Sequence, residues 1–173
     1  MGLLSRFFGR GLPEGFGGEL ADGEEVIAAA AVEGGGHLVV TTLGLWIPSG
    51  TGARRVGWHL VGKASWGEDG FTLTESEETS RAGGVVVLAD REPVRFRLPE
   101  PGRVPHQVRL RVDGSIRARH RQEFPDGGAW FVQRKVPGRD GTVLQVRPDP
   151  GTDPALVEAV AAEAADKLAD PGQ

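Results

Sequence analysis

The side chains in this 173-residue chain that could bind a metal or move a proton are four histidines, His37, His59, His106 and His120, and 24 aspartates and glutamates. Two ligands grip one ion from a helix only when they stand three or four positions apart. No two of these histidines do, and none belongs to a recognised ligand motif with a carboxylate. They read as separate strand and surface positions. For acyl transfer the sequence would need a nucleophile on a strained turn, yet Ser49, Ser65, Ser76, Ser80 and Ser115 all lie outside any Gly-x-Ser-x-Gly elbow. "TESEE" at 74–78 crowds three carboxylates, but acid–base work requires an enclosed pair with separated pKa values, and this stretch reads as a solvated strand end. The glycine clusters "EGGGH", "RAGGV" and "GRDGTV" lack the spacing, the following helix or the Lys-Ser/Thr that a phosphate cradle uses. Without cysteine there are no thiolate metal sites, disulfides or iron–sulfur clusters. The expectation is a protein that is not an enzyme and has no catalytic residues, no cofactor and no metal.

Charge is more informative. Between 91 and 121 the chain carries nine arginines against Glu92, Glu100 and Asp113, while the whole has a formal charge of −4. A general nucleic-acid binder would be basic overall, so any polyanion contact has to be local. Arg95 with Arg97, and Arg117 with Arg119 and Arg121, alternate with other residues and would project from the same faces of their strands, and Arg109 and Arg111 lie between these groups. These seven are the candidate basic binding surface, for an acidic protein or an anionic lipid surface. The competing expectation is internal neutralisation by Glu75, Glu77, Glu78 or the acidic C-terminal helix. Aromatic residues that stack bases are nearly absent from this window, which argues against nucleic acid. A second candidate contact is "MGLLSRFFGRG", where Leu3, Leu4, Phe7 and Phe8 share helical spacing and would meet a membrane or a partner, or cap the fold. Arg6 stands where a myristoylation signal needs Ser or Thr.

The elements that would position these residues follow from the punctuation. From Glu24 to Pro148, turn residues recur every eight to twelve positions, the rhythm of an all-β domain. "EEVIAAAAVEG" and "HLVVTTLGLWIP" flank three glycines as a hairpin whose second arm opens on His37. "RRVGWHLVG" alternates as one strand, with Val56, Trp58 and Leu60 inward. "ASWGEDGFTLTESEE" supplies two strands around a turn at 67–70, and "GGVVVLADREPVRFRLPEPG" two more. Residues 104–113 read as strand or as helix, the helix being preferred because Val104, Val108 and Val112 form one stripe behind Pro105. A strand at 115–124 and the hairpin "AWFVQRKVP"/"TVLQVRPD" complete the β pattern. "TDPALVEAVAAEAADKLADPG" is a helix at about 153–169, with Thr152 or Asp153 as cap and Pro154 in its first turn. Trp46, Trp58, Trp66 and Trp130 are expected to build a core layer.

The segments "EEVIAAAAV", "GHLVVTTLGLWIP", "RRVGWHLVGKASW" and "FTLTESE", with the final helix, resemble bacterial PH-like domains of the PH/GRAM type over residues 24 to 98. The resemblance implies a seven-stranded bent sheet or partly open barrel, plugged by the helix, that binds protein, peptide or lipid surfaces. The chain departs from it by running on through 103–148. The arginine-over-lysine bias, with only Lys63, Lys135 and Lys167, is that of a GC-rich bacterial coding sequence. No apolar run is long enough to span a membrane and no signal-peptide core is visible, which reads as cytoplasmic and possible only as a peripheral membrane association. The expected architecture is a terminal turn and linker at 1–23 and one mainly β domain at 24–170, a single antiparallel bent sheet with a C-terminal helix and a short N-terminal helix. Its expected function is a non-catalytic binding module for another protein. The alternatives are a peripheral adaptor on anionic membranes and a small-molecule-binding or hydrolytic β-barrel.

Overall fold

A computed structural model describes residues 11–170, and the glycines at 34 to 36 turn the chain as their spacing predicts. Their φ angles of 96°, 127° and 77° lie where other residues are strained. β1 (Val26–Ala31) therefore folds back onto β2 (His37–Thr41), with Ala31 opposite His37. The apolar run beginning at His37 is two strands where one was expected. β2 ends at Thr41 because its hydroxyl accepts from the N–H groups of Leu43 and Gly44 at 3.1 and 3.2 Å, a side-chain turn that reverses the chain. β3 (Gly44–Ser49) then returns, Val40 facing Leu45, and β4 (Gly52–Gly57) completes a four-stranded antiparallel sheet.

"RRVGWHLVG" is likewise broken. A 3-10 turn at Trp58–Leu60 separates β4 from β5 (Val61–Gly67), and the Trp58 indole N–H donates to the carbonyl of Thr41 at 3.0 Å. Val56 and Trp58 reach the interior as expected, but the 3-10 turn shifts the spacing, so that Val61 is buried where Leu60 was expected and Leu60 is only partly covered. β5 pairs with β6 (Gly70–Ala82), whose first residues also pair with β8 (Val94–Phe96). Residues 104–115 are helix α1 (Val104–Ser115), which buries Val104 and Val108. These side chains join Leu38, Val40, Leu45 and Phe71 in one packed apolar core.

The chain forms two compact units. The first comprises residues up to Glu75 together with Glu92–Asp113, and the second comprises Ser76–Arg91 and everything from Gly114. In the second, the latter half of β6 pairs with β7 (Val85–Asp90). β9 (Ile116–Phe124) and β10 (Gly127–Lys135) form a hairpin, and β11 (Thr142–Pro148) follows. β11 lies between β10 and β7. Helix α2 (Pro154–Ala169) is capped by Asp153, whose side chain accepts from the Ala155 N–H at 3.0 Å, and it packs Val157 and Ala161 on Val85, Val87, Ala129 and Val146.

The fold is mainly β with a C-terminal helix. Two details correct the expected single antiparallel sheet. The strands form two hydrogen-bonded sheets, and β11 runs parallel to β7, Val146 opposite Val87. A parallel pair needs a long connection, and residues 91–141 provide one. The short N-terminal helix predicted on Leu3, Leu4, Phe7 and Phe8 lies outside the described residues.

Candidate functional site

The seven candidate arginines divide between the two units. Arg95, Arg97, Arg109 and Arg111 belong to the first, and Arg117, Arg119 and Arg121 to the second. In the first, Arg97 approaches Glu33 at 3.9 Å and Arg109 approaches Asp113 at 3.8 Å, both at open surface where such pairs contribute little. Arg109 and Arg111 sit on α1, the helix preferred over a strand for this segment. Of the expected neutralising carboxylates, Glu77 does take Arg91 at 3.0 Å. Glu75 instead binds Arg54 through two hydrogen bonds, and Glu78 binds Arg81. Both of those pairs fall outside the arginine-rich window.

In the second unit one strand gathers the cations. β9 and β10 are joined at Pro125–Asp126, and the Phe124–Gly127 pair sets a register that places Arg121 opposite Trp130 and Arg119 opposite Val132. Strand alternation puts Arg119 and Arg121 on the same face as Trp130, whereas Arg117 is the extra residue of a bulge, lying between Ala118 opposite Gln133 and Ile116 opposite Arg134. The guanidinium carbons of Arg119 and Arg121 lie 5.8 and 5.6 Å from the Trp130 ring centre, and the ring is 40% exposed. Such contacts attract through the ring quadrupole. Arg121 is also clasped by Asp149 at 2.6 Å and by Glu123 at 2.6 Å. Its pKa is raised, first by the Asp149 bond and then by that to Glu123, while Arg121 holds the Asp149 carboxyl below its usual range. Arg117 and Arg119 are exposed and make no ion pair among the described residues. With two carboxylates on one guanidinium, the strip carries net negative charge at its Arg121 end and is cationic at its Arg117 end.

Two buried polar clusters have a different character. Glu24 lies in the first unit with its side chain wholly buried, and four donors converge on it. Oε1 accepts from the Ala21 N–H at 2.9 Å and from Arg55 at 2.5 Å, and Oε2 accepts from the Thr41 hydroxyl at 2.6 Å and the Trp46 indole at 2.9 Å. Burial alone would raise its pKa, but the hydrogen bonds of Thr41, Ala21 and Trp46 and the charge of Arg55 outweigh it and hold the carboxyl below its ordinary range. This carboxylate ties the segment before β1 to β2, β3 and β4. In the second unit, Arg134 is 2% exposed and donates to the Ser115 hydroxyl at 3.1 and 2.7 Å. Burial first, then the charge of Arg147, lowers its pKa to about 10. Arg147 reaches Ser76 at 2.9 Å and Asp90 at 3.2 Å.

Trp46 and Trp58 occupy the core as expected. Trp66 and Trp130 do not, being 46% and 40% exposed. Trp66 borders two open concavities of the first unit. One, of about 470 Å³, includes Glu68, Asp69 and Arg97, and the other, of about 600 Å³, includes Ser65, His106 and Arg109. The histidines are dispersed, and among the described residues no group of three or more His, Asp or Glu could hold a metal ion. No helix among those residues is long and apolar enough to cross a membrane.

Sequence reading had selected the arginines of β9 but not Trp130. The available signal was the turn: with Pro125–Asp126 as its tip, pairing outward places position 130 beside 121. No family model, no curated protein and no solved structure matches the chain.

Proposed function

We propose that this protein is a non-catalytic binding module that recognises an acidic segment of another protein, and that the β9–β10 strip is its contact surface. One observation carries the reading. Arg117 and Arg119 stand exposed and without a carboxylate two positions apart on one strand, Arg119 against an exposed tryptophan. Solvated arginines are common, but a pair held beside an exposed aromatic offers bidentate donors and apolar area together, the combination enriched where proteins meet. The net negative charge around Arg121 gives the strip a direction, so an acidic ligand is favoured at the Arg117 end.

The apolar filling of the first unit's core supports placing recognition on a surface rather than in an internal cavity. The PH-like reading of residues 24 to 98 belongs to the same proposal, since that resemblance implies surface binding. The membrane-contact residues Leu3, Leu4, Phe7 and Phe8 lie outside the described residues and lend it nothing.

The test is titration of a short fluorescent peptide alternating glutamate with valine, against the protein and against an Arg117→Gln/Arg119→Gln variant, at low and high salt. Binding that weakens with salt, and by about tenfold in the double variant, is expected. Absence of binding, or equal binding by the variant, would overturn the proposal. Salt-sensitive flotation with anionic liposomes in place of peptide binding would replace it with the peripheral membrane reading.

A further inference from the structure

Resting on that reading, we infer that the acidic segment docks by strand addition, pairing its main chain with the outer edge of β9. β9 ends its sheet: β10 is bonded to its inner side from Phe124 to Ile116, and among the described residues no strand occupies the other. Nine residues at about 3.3 Å each leave about 30 Å of main chain along that edge. Arg117, Ala118, Arg119 and His120 are all exposed, so neither face of this part of the strand is covered. Sheet edges of this length are normally shortened, covered, bulged or charged, because their free N–H and C=O groups recruit other strands.

The charge on β9 decides which strand is recruited. In an antiparallel pairing with a second copy centred on Arg119, this residue falls opposite itself, Arg119 against Arg119. Directly opposed like charges disfavour that pairing. An incoming strand with carboxylates at alternate positions meets the reverse situation: one acid falls opposite Arg119, on the face where Trp130 holds that side chain, and the next lies near Arg117 at the bulge. One set of side chains thus disfavours self-association and selects an acid-x-acid strand. Main-chain pairing supplies affinity and the alternating side chains supply specificity, as in other strand-addition interfaces.

Backbone methylation of the glutamate–valine peptide separates this mode from simple charge attraction without altering the protein. In an added strand alternate N–H groups point toward and away from β9. Two peptides, N-methylated at the odd or at the even positions, keep identical charge. One should lose affinity by at least about tenfold while the other keeps most of it. Loss confined to one peptide, with slowed hydrogen exchange at β9 amides, supports strand addition. Equal affinity of both methylated peptides with the parent, and unchanged exchange at β9, refutes strand addition while leaving acidic recognition standing. Failure of the unmethylated parent to bind removes both proposals.

Discussion

Replacing Glu24 with glutamine tests whether the buried carboxylate holds the first unit together. Each carboxylate oxygen accepts from two donors: Oε1 from the Ala21 amide and Arg55, and Oε2 from Thr41 and Trp46. Glutamine offers one oxygen and one NH₂ group, so whichever way the amide turns, two of the four donors face another donor. Because Arg55 is 32% exposed and the Thr41 hydroxyl can turn to the Gly44 carbonyl at 3.2 Å, one donor is left without an acceptor, at a cost of about 1–3 kcal/mol. The lost countercharge of Arg55 adds less than about 1 kcal/mol, because that side chain remains 32% exposed and water replaces part of the interaction. The assay is urea unfolding followed by tryptophan fluorescence, to which Trp46 reports directly. The sign of the pH dependence follows from the depressed pKa. The folded value lies below the ordinary 4.5, so the carboxylate's contribution is present above that pH and is lost as pH falls through the folded value. The stability gap between wild type and Glu24→Gln should therefore be constant near neutrality and narrow in acid. A variant within about 0.5 kcal/mol of wild type at neutral pH, a difference ordinary for a surface substitution, would refute the role given to Glu24. So would a gap that persists unchanged in strong acid.

Gly70→Ala should destabilise by about 2 kcal/mol or more, measured by thermal unfolding. The residue sits at φ 113° and a Cβ there would stand 2.6 Å from the Phe96 carbonyl oxygen. Quenching should divide the four tryptophans. Trp46 and Trp58 are shielded, whereas iodide should favour Trp130 beside Arg119 and Arg121, and caesium should favour Trp66, which shares a concavity with Glu68 and Asp69. Trp130→Phe should remove the iodide-sensitive emission and Trp66→Phe the caesium-sensitive emission, and the reverse assignment would contradict the described surfaces.

Most elements of this fold were legible because their causes are local. The glycine turn at 34–36, the Asp153 cap with Pro154 behind it, the valine stripe of α1 and the alternation in β10 and β11 each depend on residues a few positions apart. Where a local pattern admitted two outcomes, distant residues chose. The breaks at Thr41 and at Trp58–Leu60 interrupt what reads as continuous strand, and the second moves burial from Leu60 to Val61 beside a hydrogen bond to a carbonyl 17 positions away. The candidate site divides in the same manner. The arginines of β9 and the face shared by Arg119 and Arg121 were readable from spacing, but the bulge at Arg117 and whether each cation was free were not. Arg121 is closed by Asp149, 28 positions on, whereas Arg117 and Arg119 have no such partner among the described residues.

By itself the sequence determined a mainly β chain ending in a helix, with basic strands and none of the residue patterns that known metal or nucleophile chemistry requires. Tertiary structure decided which strand became an edge, which two tryptophans stayed in water, that β7 and β11 pair in parallel, and that Glu24 is enclosed. Edge position, exposure and enclosure are properties of what packs alongside a residue, and those neighbours come from remote parts of the chain. Spacing along the chain records only the nearest of them.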